Sequence, residues 1–387
     1  MKKTVYLDYQ SSKPVDPEVF KVMKPYFLEK FGNPSSLHHD GDITTKALME
    51  SRKKIAKFIN AKNHKEIIFT SGATESNNLA LIGYAMRNKR KGNHIIISEI
   101  EHISIHNIVK YLQKMGFEVS KVPVDFYGIV KLDILKEKIR DDTILISIQY
   151  ANNEIGTIQQ VAEIGKIARE KSIIYHCDAV AAEGLIPIDV IQDQIDLLTL
   201  SSNDIYGPKG LGVLYVRTGV MLTPIIIGGG QERGLRSGTE NIASIVGMAN
   251  ASEIAINKMN EESKRLIKLR DHLIKEISNK IPNSYLNGDP KNRLPNNVHF
   301  RFDYIEGESL LLLLKDAKIS IATGSACSSK TLEPSHTLIS IGLIHEEAHG
   351  SLVITMGRYT TQDDVDKLIA VLPSVVEKLR KISPLTS

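Results

Sequence analysis

Short apolar runs alternate with helical segments along the chain from about position 60 to position 217. These runs contain few polar breaks and are rich in Ile, Val and Leu, which is typical of strands buried on both faces. Strands that alternate with helices predict a mostly parallel sheet covered by helices, with ligands bound at the carboxyl ends of the strands. The predicted strands are Ile67–Thr70, Ile95–Ser98, Val119–Val124, Ile144–Gln149, Ile173–Cys177, Leu197–Ser201 and Leu211–Val216.

The pattern changes after about position 240, where helical spacing dominates. A chain of 387 residues is expected to form two domains. We place the boundary near 258, with a large domain over 15–258 and a small domain formed by 1–14 and 259–387. In the last amphipathic stretch, which Thr361 could cap, Pro373 is expected to bend the helix or end it early.

Composition excludes several classes of function. Lys plus Arg number 49 and Asp plus Glu 45, a near balance that argues against nucleic acid or a membrane surface as the main partner. The chain lacks a run of 18 apolar residues, and its first ten residues lack the apolar segment of a signal peptide. Two cysteines cannot build a disulfide framework, so we expect a cytoplasmic protein with reduced thiols.

The turn Ser71–Glu75 lies between a predicted strand and a predicted helix. A glycine turn that enters a helix presents free backbone N–H groups to an anion, so this turn is a candidate phosphate site. It is not a Walker A loop, because no Gly-Lys-Ser/Thr follows. An ordinary strand-to-helix turn is the alternative.

Asp178 follows a predicted strand, where a carboxylate would face the ligand crevice and could pair with a cationic ring nitrogen. A helix cap or turn residue is the alternative. Cys177 precedes it and must point to the opposite face, so we expect a buried, inert thiol there.

Two further loops carry polar groups. The Gly-rich stretch from 228 to 239 combines glycines with Arg, Ser and Thr, which suits close approach to an anion, although a surface connection would look similar. The loop Thr323–Ser329 is small and polar and is centred on Cys327, which is either a working thiol or an idle exposed one. We interpret His336, His345 and His349 as structural, because they lack metal-ligand spacing.

Several of these segments together resemble the cysteine desulfurases of iron–sulfur assembly, the NifS/IscS-like branch of the class V, fold-type I pyridoxal-phosphate (PLP) enzymes. The resemblance runs from Tyr6 nearly to the end of the chain. Its motifs are Phe31–Ser36, Thr70–Glu75, Glu101-His102, Asn152–Gly156, Tyr206–Gly210, Arg236–Thr239 and Gly324–Cys327.

The resemblance implies an α/β fold-type I architecture, with a mostly parallel seven-stranded sheet in a large domain and a smaller α/β domain. It also implies a homodimer that works with an IscU-like iron–sulfur scaffold protein. It assigns the PLP phosphate to Ala73, Thr74, Ser201 and, from the second subunit, Thr239, and the ring to His102, Asn153 and Asp178. We add Ser202 and Asn203 to the cofactor contacts, and Cys327 would attack the substrate sulfur and carry it as a persulfide.

Four positions depart from the family pattern. Asp204 stands where the family's lysine forms the Schiff base, and Asn203 replaces the preceding histidine. Ala181 replaces a glutamine that contacts the ring, and Val353 replaces the arginine that grips the substrate carboxylate. Lys209 belongs to a shared turn and is a poor substitute amine. PLP is therefore expected to bind weakly, noncovalently or not at all.

Two functions remain open from the sequence. The first is a variant that lacks the PLP-anchoring lysine, docks the scaffold protein and uses Cys327 as a persulfide carrier or as a metal ligand to a shared iron–sulfur cluster. The alternative is a PLP-dependent cysteine desulfurase that converts L-cysteine to L-alanine and an enzyme persulfide. The departures favour the first function, and the overall resemblance favours the second.

Overall fold

The computed structural model describes residues 4–323 and 334–383. Most of the Cys327 loop lies outside these ranges, so the predicted role of that thiol stays a prediction.

The strands alternate with helices through the first two thirds of the chain, as the apolar runs predicted. In chain order the strands are β1 (Val5–Tyr6), β2 (Ile67–Thr70), β3 (His94–Ser98), β4 (Glu118–Val122), β5 (Thr143–Ser147), β6 (Ile174–Asp178), β7 (Leu197–Ser201), β8 (Gly212–Val216), β9 (Ser284–Leu286), β10 (Asn297–Phe302), β11 (Ile319–Ser320) and β12 (Ser351–Thr355).

The α-helices range from single turns to one that spans almost forty residues. They are α1 (Pro17–Met23), α2 (Pro25–Leu28), α3 (His39–Phe58), α4 (Ala73–Asn88), α5 (Ile103–Lys114), α6 (Leu132–Lys138), α7 (Val161–Glu170), α8 (Ile242–Lys280), α9 (Gly307–Asp316), α10 (His336–Ser340), α11 (His345–His349) and α12 (Gln362–Ile382).

Seven strands of the described chain form the main sheet, in the order β2-β8-β7-β6-β5-β3-β4. Strand β8 runs antiparallel to both of its neighbours, and the pairs among β3, β4, β5, β6 and β7 are parallel. Every residue of β2, β3, β5 and β8 is buried, which explains why the sequence shows continuous apolar runs rather than alternation. The predicted fold class, a mostly parallel seven-stranded sheet of the fold-type I kind, is confirmed.

A second, antiparallel sheet of order β12-β10-β9 packs with α9 and α12 around its own apolar cluster. Strand β1 runs parallel to β11, and Val5 in this strand and Leu7 just after it join that cluster. Helix α8 links the two cores, because Met248 and Ala255 pack with the main sheet while Leu266 and Leu273 pack with the second sheet. The division at 258 falls inside this helix and stays a prediction.

Of the two expectations for Pro373, the early end of the last helix is wrong, and the bend stays a prediction. Helix α12 continues from Gln362 to Ile382 with Pro373 inside it. Leu368, Leu372 and Val376 lie on its buried face, so both sides of the proline are held by the second core. Burial of that face outweighs the hydrogen bond that the proline nitrogen cannot donate. The N-cap prediction is confirmed, because the Thr361 side chain accepts a hydrogen bond from Asp364 N.

No helix in the described part of the chain is long and apolar enough to cross a membrane.

Candidate active site

A cleft opens where strands β2, β3, β5, β6 and β7 end, at the carboxyl edge of the sheet. We call it the cofactor cleft, and its volume is about 180 Å³. Of the nine predicted cofactor residues, it brings six together: Ala73, Thr74, His102, Asn153, Asp178 and Asn203. These residues come from separate turns of the chain, and the parallel sheet places them at one edge because it aligns the strand ends.

The turn at Gly72 shapes one wall of the cofactor cleft. Helix α4 begins at Ala73, and Gly72 precedes it with a φ of +154°, a conformation that favours glycine. Strand β8 passes so close that a Cβ on Gly212 would lie 2.5 Å from the Gly72 carbonyl carbon. Ala73 and Thr74, the first residues of α4, therefore border the cleft. Their backbone N–H groups have no carbonyl acceptor within the helix. This arrangement suits a phosphate group.

A chain of hydrogen bonds joins Asp178 to His102. The Asn77 side-chain amide lies 2.8 Å from Asp178 Oδ2 and 3.1 Å from Ser104 Oγ. Ser104 Oγ in turn lies 2.8 Å from His102 Nδ1, which also accepts a hydrogen bond from Ser104 N. Because His102 is the N-cap of α5, the start of that helix fixes its ring. The two groups that would contact a cofactor ring are thus held in one network, and Asn77 and Ser104 were not found from the sequence.

Cys177 and Asp178 point to opposite faces of β6, as predicted. The Cys177 side chain is fully buried in the main apolar cluster, and burial raises the pKa of its thiol. Asp178 lines the cofactor cleft. Cys177 is therefore a packing residue, and the interpretation made from the sequence is confirmed.

The three remaining predicted cofactor residues do not line the cofactor cleft of their own chain. Ser201 donates its backbone N–H to Glu183 Oε1 at 2.6 Å, and the hydroxyl of buried Ser202 has no hydrogen-bond partner in the described structure. Thr239 is exposed and borders a separate small pocket with Ser71. The prediction gave Thr239 to the other subunit of a dimer, so its role stays a prediction.

The residues that are predicted from the sequence to depart from the family pattern lie around the same cleft. Ala181 and Asp204 line it, and Asp204 lies within the short turn Ser202–Ile205 that follows β7. Val353 is buried in β12 and borders an adjoining, wider cleft of about 850 Å³, which we call the outer cleft. Val353 hydrogen-bonds Ala322 through its backbone, at 2.9 Å from its N–H to the Ala322 oxygen. It presents no polar side chain to a substrate carboxylate.

Lys13 is a further residue that sequence reasoning missed. It lines the cofactor cleft, is 5% exposed, and donates a hydrogen bond from Nζ to the carbonyl oxygen of Asp204. It is separated from Asp204 by 191 positions, and neither its neighbours nor its spacing marks it as part of a site. Only the folded chain shows that an amine lies beside Asp204.

Comparisons with known proteins agree with the fold and with the geometry of the site. Residues 5–368 match the sequence model of the family Aminotransferase class-V. This chain belongs to that family. The protein named cysteine desulfurase IscS 1 of Archaeoglobus fulgidus is 58% identical over 380 residues, which cover 98% of this chain and 99% of the relative. The protein named cysteine desulfurase IscS of Dictyoglomus turgidum is 52% identical over 384 residues, covering 99% of this chain and 97% of the relative.

Solved structures share nearly the whole fold of this chain. A protein described as NIFS-like superposes with a TM-score of 0.92 at 36% identity, covering 97% of this chain and 100% of that one. A second, described as SspA in complex with cysteine, superposes with a TM-score of 0.83 at 35% identity, covering 92% of this chain and 100% of the other. The resemblance to the IscS/NifS-like cysteine desulfurases is therefore confirmed.

PLP, the cofactor of this family branch, fits the cofactor cleft. Asp178 offers a carboxylate to a protonated ring nitrogen, and the first turn of α4 offers amides to a phosphate. Glu75, in that same turn, would repel a phosphate, but its carboxylate is engaged by Arg236 at 3.0 Å and by Ser71 N at 2.7 Å. Gln10 Oε1, on another wall, is buried without a hydrogen-bond partner among the described residues, so a polar ligand could supply that partner.

The fully buried carboxyl of Glu101 makes stability depend on pH. Burial raises its pKa to about 8, although it accepts hydrogen bonds from Ser98 Oγ and Gln149 N. Because the folded pKa lies above the unfolded value, the contribution of this group is full below about pH 4.5 and is lost as the pH rises through about 8. We expect Glu101→Gln to flatten this decline by up to roughly 1.4 kcal/mol per pH unit.

Urea unfolding at a series of pH values between about 5 and 8.5 measures this effect. Replacing the exposed Glu261 with glutamine is the matched control and should leave the profile unchanged. A Glu101→Gln profile that parallels the wild type would show that this carboxyl does not take up a proton on folding.

Proposed function

We propose that this chain binds PLP in the cofactor cleft and acts as a cysteine desulfurase, which releases L-alanine from L-cysteine and leaves the sulfur on Cys327 as a persulfide. The observation that carries this proposal is the convergence of a phosphate cradle, a ring-facing carboxylate and a buried amine on one cleft. The relatives at 58% and 52% identity, both named cysteine desulfurase IscS, support it across nearly the whole chain.

Each part of the cleft has a separate task in this proposal. When bound, PLP supplies an electron sink for the substrate carbon. Asp178 keeps a proton on the ring nitrogen, and the hydrogen-bond chain through Asn77 orients both Asp178 and His102. The Cys327 thiolate forms an S–S bond to the substrate sulfur, while the electron pair of the broken C–S bond stays with carbon. That carbon takes a proton and leaves as alanine.

A second candidate is favoured by the departures at Asp204, Ala181 and Val353. In this version the chain is a homodimeric docking partner for an iron–sulfur scaffold protein and does not itself desulfurate cysteine. Cys327 then carries a persulfide made elsewhere or completes a cluster whose other ligands come from the scaffold, since a single thiolate cannot hold a cluster alone. We place either version in the cytoplasm, where the two cysteines stay reduced.

One experiment separates the two candidates. The purified chain is incubated with PLP and L-cysteine, and alanine release and persulfide on Cys327 are both measured. The desulfurase predicts alanine and persulfide in equal amounts in the first turnover. The docking protein predicts no alanine, and persulfide only when a sulfur donor is added. An absence of alanine at every PLP concentration would contradict the desulfurase proposal.

A further inference from the structure

The amine of Lys13 lies inside the cofactor cleft and is shielded from water. Its residue is 5% exposed, and the ammonium group lies 5.4 Å from the centre of the Tyr206 ring. Among the described residues that line this cleft, Lys13 is the only lysine and there is no arginine. The cleft that lacks an amine at position 204 therefore has one from the amino-terminal segment of the chain.

Both residues that replace the family's His-Lys pair hold Lys13. The Asn203 side-chain oxygen accepts the Lys13 backbone N–H at 3.2 Å. Asp204 accepts the Lys13 ammonium through its carbonyl oxygen and places Oδ1 at 3.9 Å from Nζ. A lysine at 204 would bring a second cation to this point, whereas aspartate stabilises the first. Asn203 and Asp204 thus fit a cleft in which Lys13, from the amino-terminal segment, supplies the amine.

Lys209, considered from the sequence as a substitute, supports Lys13 instead. Its ammonium group donates a hydrogen bond to the Lys13 carbonyl oxygen at 3.0 Å. Lys209 itself is exposed and does not line the cofactor cleft. The backbone of Lys13 is therefore held on both sides, at its N–H by Asn203 and at its carbonyl by Lys209, and its side chain is directed by Asp204.

We propose that Lys13 is the residue through which this chain attaches PLP, by a C=N bond between Lys13 Nζ and the aldehyde carbon of the cofactor. The amine nitrogen adds to that carbon, and the aldehyde oxygen leaves as water with the two hydrogens of the neutral amine, so no oxidant or reductant is needed. This inference rests on the proposed binding of PLP in the cofactor cleft.

The surroundings of Lys13 favour the neutral amine that this addition needs. Burial lowers the pKa of its ammonium group, and the attraction of Asp204 opposes that shift only in part. Asp204 Oδ1 lies 3.9 Å from Nζ, and burial raises the pKa of this carboxyl, which weakens its hold on the ammonium form. A buried lysine whose pKa is lowered is the usual nucleophile for a carbonyl group.

Reductive trapping tests the proposal. The full chain is incubated with PLP and reduced with borohydride, which delivers hydride to the imine carbon and fixes the adduct. Peptide mass mapping then locates the pyridoxyl group, and we expect it on Lys13. Lys13→Met should lose at least about tenfold of the label while it still binds PLP noncovalently. Lys121→Met, which removes an exposed amine from the outer cleft, is the matched control and should keep the label.

The outcomes distinguish the inference about Lys13 from the proposed function. If PLP binds but the label falls on Lys209, Lys110 or Lys121, or on no lysine, the inference about Lys13 is wrong and the proposed function stands. If PLP does not bind at all, both are wrong. Lys13→Arg keeps the positive charge beside Asp204 without a reactive amine, and its thermal unfolding shows whether loss of label reflects lost chemistry or lost folding. Label retained by the folded Lys13→Arg variant would also overturn the proposal.

Discussion

We expect the Asp204→Lys variant to attach PLP through the new side chain and yet to release alanine from L-cysteine at least ~10²-fold more slowly than a family member with the full set of residues. The new amine would arise where the resemblance places the family's lysine, in the same cleft as Ala73 and Asp178. The resemblance places the substrate carboxylate at Val353, which carries no charge, and a hydrogen-bond donor at Ala181, which has none. The variant should therefore attach the cofactor through position 204 without reaching the turnover rate of a family member.

The same variant places a second cation beside Lys13 in a buried cleft. Each cation lowers the pKa of the other, so the new amine at position 204 is expected to be partly neutral near pH 7 and to take the label in place of Lys13. Borohydride trapping and alanine release are measured together, with Asp204→Asn as the matched control that removes the carboxylate without adding an amine. Alanine release close to that of an intact relative would show that the changes at 181, 203 and 353 are unimportant.

Replacing Cys327 with serine should abolish persulfide formation on the chain and sulfur transfer to an added iron–sulfur scaffold protein. The reason is chemical, because only a thiolate can accept sulfur in this way and the chain has two cysteines. The other, Cys177, is fully buried and its pKa is raised by burial, so its thiol is neither accessible nor ionised. The expected loss in the Cys327→Ser variant is therefore complete.

Cys177→Ala is the control, since it removes the other thiol and leaves Cys327 in place. Persulfide is measured by differential alkylation, and cluster assembly by the absorbance of the scaffold protein with iron and L-cysteine. We expect Cys177→Ala to match the wild type in both assays, apart from some loss of stability caused by the small cavity. If Cys327→Ser retained persulfide or supported assembly as well as the wild type, Cys327 would be an idle thiol.

Sequence patterns predicted the sheet well because a strand that is buried on both faces forms a continuous apolar run in the sequence. A run such as that ending at Asp178 is apolar over its whole length, and its end marks the edge of the sheet where ligands bind. The strand bounds differ by one or two residues, as at Thr143–Ser147, because the hydrogen-bonding partner decides where pairing stops. Pro373 misled the prediction because packing on both sides of it is a tertiary effect.

Residues of the site could be predicted from the sequence only where they belong to short motifs. Ala73 and Asp178 each follow a strand and could be assigned to the edge of the sheet from the sequence. Lys13 could not, because its burial beside Asp204 depends on how the amino-terminal segment packs against the turn after β7. The sequence therefore indicated a site without an amine, and the folded chain supplies one from almost two hundred positions away.

Equilibrium dialysis of the wild-type chain against PLP tests the central claim most directly, because both the proposed function and the role of Lys13 require the cofactor to bind in this cleft. We expect saturable binding of one PLP per chain, and Asp178→Ala should weaken it by about 10- to 100-fold, the effect of losing a hydrogen bond to a charged group. The exposed Asp141→Ala control should bind as the wild type does. Absence of saturable binding to the folded wild-type chain, or equal binding by Asp178→Ala, would contradict this account.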